Sequence, residues 1–338
     1  MDAERADSSE SLKCRPAIGR WTHCGVMGHL SKTGLTSNNR AMTADRRFRS
    51  LITAAGLLAA LLVGVLSASS AFAGGAHTSK ARVAGSITMR SKSFTLSRPD
   101  EKRRLTVGCP GKQRPLGGGM TSSPPPTAGG EGVYPHSYER LGVQRGWHVT
   151  AVLFDPDHRS TQPRNVTLQV TCGPRIGHVT PPHKTKYVKP GQTKTAVATC
   201  PGRRHLFSGG FQRTDFISQG GNYVIESRAI SAKSWRVVGH AFGHFGGELT
   251  AIAYCTRSKR PMISEVSQST SLGAGYGTAT TPTCPPGTRM TAGGFSSNGS
   301  ITTFLTNGLI NQDGTWSASG YNWGSGATLT AYGYCLRS

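Results

Sequence analysis

One plan is written three times along this chain, and that repetition constrains the fold more than any other feature. The last copy opens Cys284-Pro285, reaches Gly293-Gly294-Phe295, passes Trp316 and closes Leu329-Thr330-Ala331-Tyr332-Gly333-Tyr334-Cys335. The middle copy opens Cys200-Pro201, reaches Gly209-Gly210-Phe211, passes Trp235 and closes on Cys255. The first opens Cys109-Pro110, reaches Gly118-Gly119-Met120, passes Trp147 and closes on Cys172. In all three the Gly pair stands 9 and 10 residues after the opening Cys. Self-similarity at fixed spacing is the mark of a repeat architecture.

Within a copy the pattern has period two. Leu249, Ala251 and Ala253 alternate with Thr250, Ile252 and Tyr254, and Trp235, Val237 and Gly239 alternate in the same way. The turn Gly243 to Gly247 between these runs suggests that they form a hairpin. Short alternating lead-ins, such as Ser93–Ser97 and Thr195–Thr199, precede the opening cysteines. The expected fold is all-β, with repeats at 86–175, 176–258 and 259–338. Two arrangements fit it: separate small sandwiches or barrels, or one pseudo-threefold prism-like body. A constant Gly pair implies a bulge, a tight bend or a backbone packed closely over it, since Gly otherwise weakens a strand. The Trp of each copy is expected in the core or against a disulfide.

Six of the eight cysteines bound the repeats, which predicts a disulfide framework. Two pairings respect the repeat. In one, Cys109–Cys172, Cys200–Cys255 and Cys284–Cys335 close each copy on itself, and this is the expected one. In the other, bonds between neighbours join the copies in a ring. Oxidised cysteines agree with an export signal. Met42 is followed by Arg46, Arg47 and Arg49, an apolar run Leu51–Leu66, and Ala71-Phe72-Ala73 at a cleavage position. That core is short for a spanning helix, so no stable membrane span is expected in the mature chain. Residues 1–41 then read as disordered sequence upstream of the true start, 42–73 as the signal peptide and 74–85 as a linker.

The formal charge of +23 is unevenly spread over the 338 residues. Residues 74–199 carry 19 Lys and Arg against 6 acids, while residues 284–338 carry 2 against 1. The stretch Gly173–Lys194 reads as an exposed basic connector, with Lys184, Lys186, Lys189 and Lys194 as candidate polyanion contacts. Arg257-Ser258-Lys259-Arg260 reads as a shorter one. Metal readings are thin. His240, His244 and Glu248 would share a face only of a helix, which the local glycines disfavour. Asp155 and Asp157 lack further oxygen ligands. No nucleophile elbow, phosphate loop or dinucleotide fingerprint occurs, so no catalytic residue, metal or cofactor is assigned.

Cys-Pro, Gly-Gly-Phe, Trp and a closing Tyr-x-Tyr-Cys strand together resemble modules of predicted secreted proteins from high-GC Gram-positive bacteria. The resemblance spans roughly residues 86 to 338 and implies export and β structure, with no activity attached. The Cys-Pro opening and Gly-Phe step are also similar to the vitelline membrane outer layer proteins, whose fold is a β-prism of three Greek-key repeats. The acidic Asp-Asp-Thr run of that family is missing here. The expected function is that of a secreted, non-enzymatic binding or envelope-associated protein. Its expected partner is a cell-wall polyanion or polysaccharide, with nucleic acid bound only non-specifically. The rival expectations are a structural or protein-interaction role and a hydrolase with its site between repeats. No sequence feature sets the oligomeric state.

Overall fold

The computed structural model describes residues 87–141, 146–155, 162–174, 176–177, 179–214, 216–217, 220–257 and 264–337. Cys14, Cys24, the export segment 42–73 and the linker lie outside these, as do Asp157 and residues 258–260. The described chain is all-β, and its repeat body forms one compact unit. Repeat 1 supplies β1 (Thr88–Leu96), β2 (Lys102–Gly108), β3 (Arg114–Ser123), β4 (Gly132–Arg140), β5 (Gly146–Phe154) and β6 (Arg164–Gly173). Repeat 2 supplies β7 (His183–Val188), β8 (Thr193–Thr199), β9 (His205–Arg213), the short β10 (Phe216–Ile217), β11 (Gly220–Ser231), β12 (Ser234–Gly243) and β13 (Gly247–Thr256). Repeat 3 supplies β14 (Ser264–Leu272), β15 (Gly275–Thr280), β16 (Thr288–Ser296), β17 (Thr303–Ile310), β18 (Trp316–Asn322) and β19 (Ala327–Arg337).

Each of the three sheets is shared by two repeats. Sheet I runs β1-β6-β3-β17-β18-β15, sheet II runs β14-β19-β16-β11-β12-β8 with β10 beside β11, and sheet III runs β2-β5-β4-β9-β13-β7. In every sheet the seam joins the third strand of one repeat to the fourth long strand of another, the two-residue β10 not counted: β3 to β17, β9 to β4 and β16 to β11. The seams close in a circle, so this is the pseudo-threefold body rather than a string of independent units. One hydrophobic core draws residues from all three repeats, including Trp147, Trp235 and Trp316.

Disulfides join Cys109 to Cys172, Cys200 to Cys255 and Cys284 to Cys335, with Cα separations of 5.5, 5.6 and 5.8 Å. The bridges therefore close each copy on itself while the sheets bind the copies together. A bridge within a copy does not make that copy an independent folding unit, because half of each copy's strands complete a neighbour's sheet.

Three local readings need correction. The runs Trp235–Ala241 and Leu249–Cys255 are not a hairpin. β12 pairs with β11 and β8, β13 pairs with β9 and β7, and the Gly-rich turn carries the chain from one sheet to the next. In repeat 1 the counterpart of the lead-in β8 is β2, not Ser93–Ser97. All of the latter but Ser97 lies in β1, which pairs with the closing strand β6 as β7 and β14 pair with β13 and β19. Much of the stretch Gly173–Lys194 is not a connector, since it contains β7 and the start of β8. Its lysines hid those strands because edge strands tolerate exposed charge.

Candidate functional site

The residues common to all copies are accounted for by packing. A Cβ on Gly118, Gly209 or Gly293 would fall on the indole of that copy's own tryptophan, Trp147, Trp235 or Trp316. A Cβ on Gly119, Gly210 or Gly294 would meet the carbonyl oxygen of Gly308, Tyr138 or Ser227, on the neighbouring repeat's strand across the seam. The first glycine of each pair thus seats a tryptophan and the second admits another backbone. The tryptophans are only 1%, 1% and 4% exposed, which removes them as stacking platforms for a ligand. The space they line with the glycine pairs is about 20 Å³, on the order of one water molecule's room. The axis of the body is packed.

The copies differ in the side chains they present at the surface. The Cys-Pro turn is one place where they do. Its closing hydrogen bond recurs in each copy but the left-handed glycine shifts: Gly111 and Gly202 (φ 51° and 57°) stand two residues after the Cys, whereas in copy 3 Pro286 intervenes and Gly287 (φ 76°) stands three after it. The N–H of Gln113, Arg204 and Thr288 donates to the carbonyl of Pro110, Pro201 and Pro285 at 3.0, 3.3 and 3.1 Å. The side chains differ. Copy 2 reads Gly202-Arg203-Arg204-His205, copy 1 Gly111-Lys112-Gln113-Arg114 and copy 3 Pro286-Gly287-Thr288-Arg289.

At the copy-2 turn an open cleft of about 800 Å³ is lined by Pro201, Gly202, Arg203, Arg204, His205, Lys233 and Arg257. Three segments build it. The turn between β11 and β12 docks on the Cys-Pro segment through Cys200 N–H to Lys233 C=O, 2.8 Å, and Leu206 N–H to Ala232 C=O, 2.9 Å. The Lys233 ammonium donates to the Gly202 carbonyl at 2.8 Å, which places its charge over the turn. Arg257 stands two residues beyond Cys255, so the Cys200–Cys255 bridge tethers it beside Arg203 and Arg204. Among the described residues the lining holds no carboxylate. A concave surface lined by one sign of charge concentrates field and counter-ions, and guanidinium forks bind carboxylate, sulfate or phosphate groups in two-point fashion.

Lys184 and Lys186 are exposed on the edge strand β7, Lys189 lies in the turn after it, and Lys194 is exposed on β8. None of these lysines lines the cleft. The structure instead assembles Arg203, Arg204, Lys233 and Arg257, which local reading did not select. The legible signal was a run of cations after each end of the Cys200–Cys255 pair, beginning three residues after Cys200 and two after Cys255.

His240 and Glu248 lie on strands and His244 in the turn between them, so no helical face gathers them. His240 is buried, shares a 2.8 Å hydrogen bond with Thr193 Oγ1, and packs on Phe242. Burial holds its imidazole below the usual histidine range. Asp155 is buried. Among the described residues no three His, Cys, Asp or Glu side chains gather as a metal site would require, and no helix is long and apolar enough to cross a membrane. Compared with known proteins, the chain matches no family model and no curated protein.

Proposed function

We propose that the protein is a secreted, non-enzymatic binding protein that holds an anionic cell-envelope polymer, with the cleft of Arg203, Arg204, Lys233 and Arg257 as its principal contact. The observation that carries the reading is a cleft of about 800 Å³ whose described lining offers cations and no carboxylate. The uneven charge supports it, since residues 74–257 hold most of the cations and the third copy is close to neutral. Lys184 and Lys186, exposed on the edge strand of sheet III, add further cations outside the cleft. Export by the segment 42–73 belongs to this proposal, and the three disulfides agree with an oxidising compartment.

Retention of residues 74–338 on heparin and on purified wall polymer, across a salt series, tests the reading. Binding that releases counter-ions falls steeply as salt rises. The variant Arg203→Ser/Arg204→Ser/Lys233→Ser is expected to bind at least tenfold more weakly and with a shallower salt dependence. Retention that ignores salt, or that is equal for variant and parent, contradicts it.

A further inference from the structure

The outer face of sheet III holds a second site of opposite character. A groove of about 350 Å³ runs over β4, β9, β13 and β7, lined among others by Glu139, Gln212, Glu248, Thr185 and His183. Glu139 is fixed from both sides, paired with His148 and accepting from the Gln212 amide. Tyr187 borders this groove rather than lining it: it stands opposite Glu248 in the register of β7 and β13 and is 59% exposed.

The other two sheets serve as internal controls for what the fold requires. The hydroxyl pair Thr185–Thr250, at 2.8 Å, recurs as Ser93–Thr167 and Ser269–Thr330 at the same distance. That pair is part of the scaffold. The rest of the groove does not recur. Where sheet III has Glu139, Gln212, Glu248, His183 and Tyr187, sheet I has Leu309, Thr121, Asn165, Ser91 and Thr95. Sheet II has Arg228, Ser296, Thr328, Ser267 and Ser271 at those places. The edge-strand positions take small hydroxyl residues in both control sheets, so the fold does not need His183 or Tyr187 there.

We infer that this groove binds an uncharged oligosaccharide. Glu139 and Glu248, set against Arg140, make it a poor site for a polyanion. Carboxylates, an amide and hydroxyls together accept from and donate to sugar hydroxyls, and an exposed tyrosine ring gives the C–H face of a pyranose an apolar surface. The inference is independent of the basic cleft, which faces ligands of the opposite charge.

A panel of uncharged oligosaccharides, printed as an array and probed with residues 74–338 at roughly 0.5 M salt to screen exposed charges, tests it. At least one neutral glycan should be retained. Calorimetry with that glycan should show a tenfold or greater loss of affinity in both Tyr187→Ala and Glu248→Gln, and none in Arg203→Ser/Arg204→Ser. Both test positions are exposed, and an unchanged unfolding midpoint confirms that each variant is folded. Failure to retain any neutral glycan overturns the inference, as does a retained glycan indifferent to the Tyr187 and Glu248 changes.

Discussion

Alanine at Gly209 puts a methyl group where the Trp235 indole lies, and the indole has no room to retreat into a core with only about 20 Å³ to spare. Overpacking of this kind costs about 3 kcal/mol. Gly209→Ala should therefore lower the free energy of unfolding by that order in a denaturant titration, or prevent folding. Gly273→Ala, whose Cβ meets open space, should change it by less than about 0.5 kcal/mol. A second residue-scale expectation concerns His136. Burial, with Arg213 and Lys102 nearby, pulls its imidazole down to about 2, and its Nε2 lies 3.0 Å from the Lys102 ammonium, an arrangement suited to a neutral ring accepting the bond. A histidine depressed in the folded state binds its proton more readily when unfolded. Stability from this group is thus complete well above pH 6.5 and falls as the pH drops through that value. The loss at pH 5 is about 2 kcal/mol. Stability measured between pH 7.5 and 5 should fall less steeply in His136→Gln; equal slopes would remove His136 as the cause.

At the scale of the element, the seams show what the repeat left free to vary. Tyr254 accepts a hydrogen bond from the Arg140 N–H at 2.6 Å and packs on Trp147, 5.7 Å between ring centres. Tyr334 does the same for Ala229 at 2.7 Å and packs on Trp235 at 5.5 Å. At the seam of repeats 3 and 1 the corresponding residue is Thr171, and Gln169 clamps the backbone of Ile310 instead, accepting and donating at 2.9 Å. Gln169→Ala should accordingly weaken that seam by about 1 to 3 kcal/mol, seen as faster amide exchange in β17. Unchanged exchange there would show the clamp to be idle. Alternating strand runs were legible in the sequence, and so was the fixed spacing of Gly118, Gly209 and Gly293. Strand partners were not. Period two reports which face a residue takes, but nothing local in Trp235–Ala241 distinguishes pairing with Leu249–Cys255 from pairing with the strands on either side. A glycine-rich turn serves a hairpin and a crossing between sheets equally well.

Across the whole molecule, the candidate sites were harder to read than the fold for a related reason. Arg203, Lys233 and Arg257 are far apart in the chain and meet only because a turn, a backbone dock and a disulfide converge. Glu139 belongs to repeat 1 and Glu248 to repeat 2, and they share a groove only through the seam of β4 and β9. Because the seams share every sheet between two repeats, the three repeats should unfold as a single cooperative unit. Each bridge closes 51 to 63 residues, and chain-entropy reasoning assigns about 4 kcal/mol to a loop of that size. Removing one bridge should then destabilise all three sheets together rather than its own repeat alone. Hydrogen exchange along a denaturant series, comparing the parent with Cys200→Ala/Cys255→Ala, measures this most directly. The account predicts that β5, β12 and β18 lose protection at one common denaturant concentration in the parent, and at one common, lower concentration in the variant. Loss of protection in β12 alone, with β5 and β18 unmoved, would contradict it.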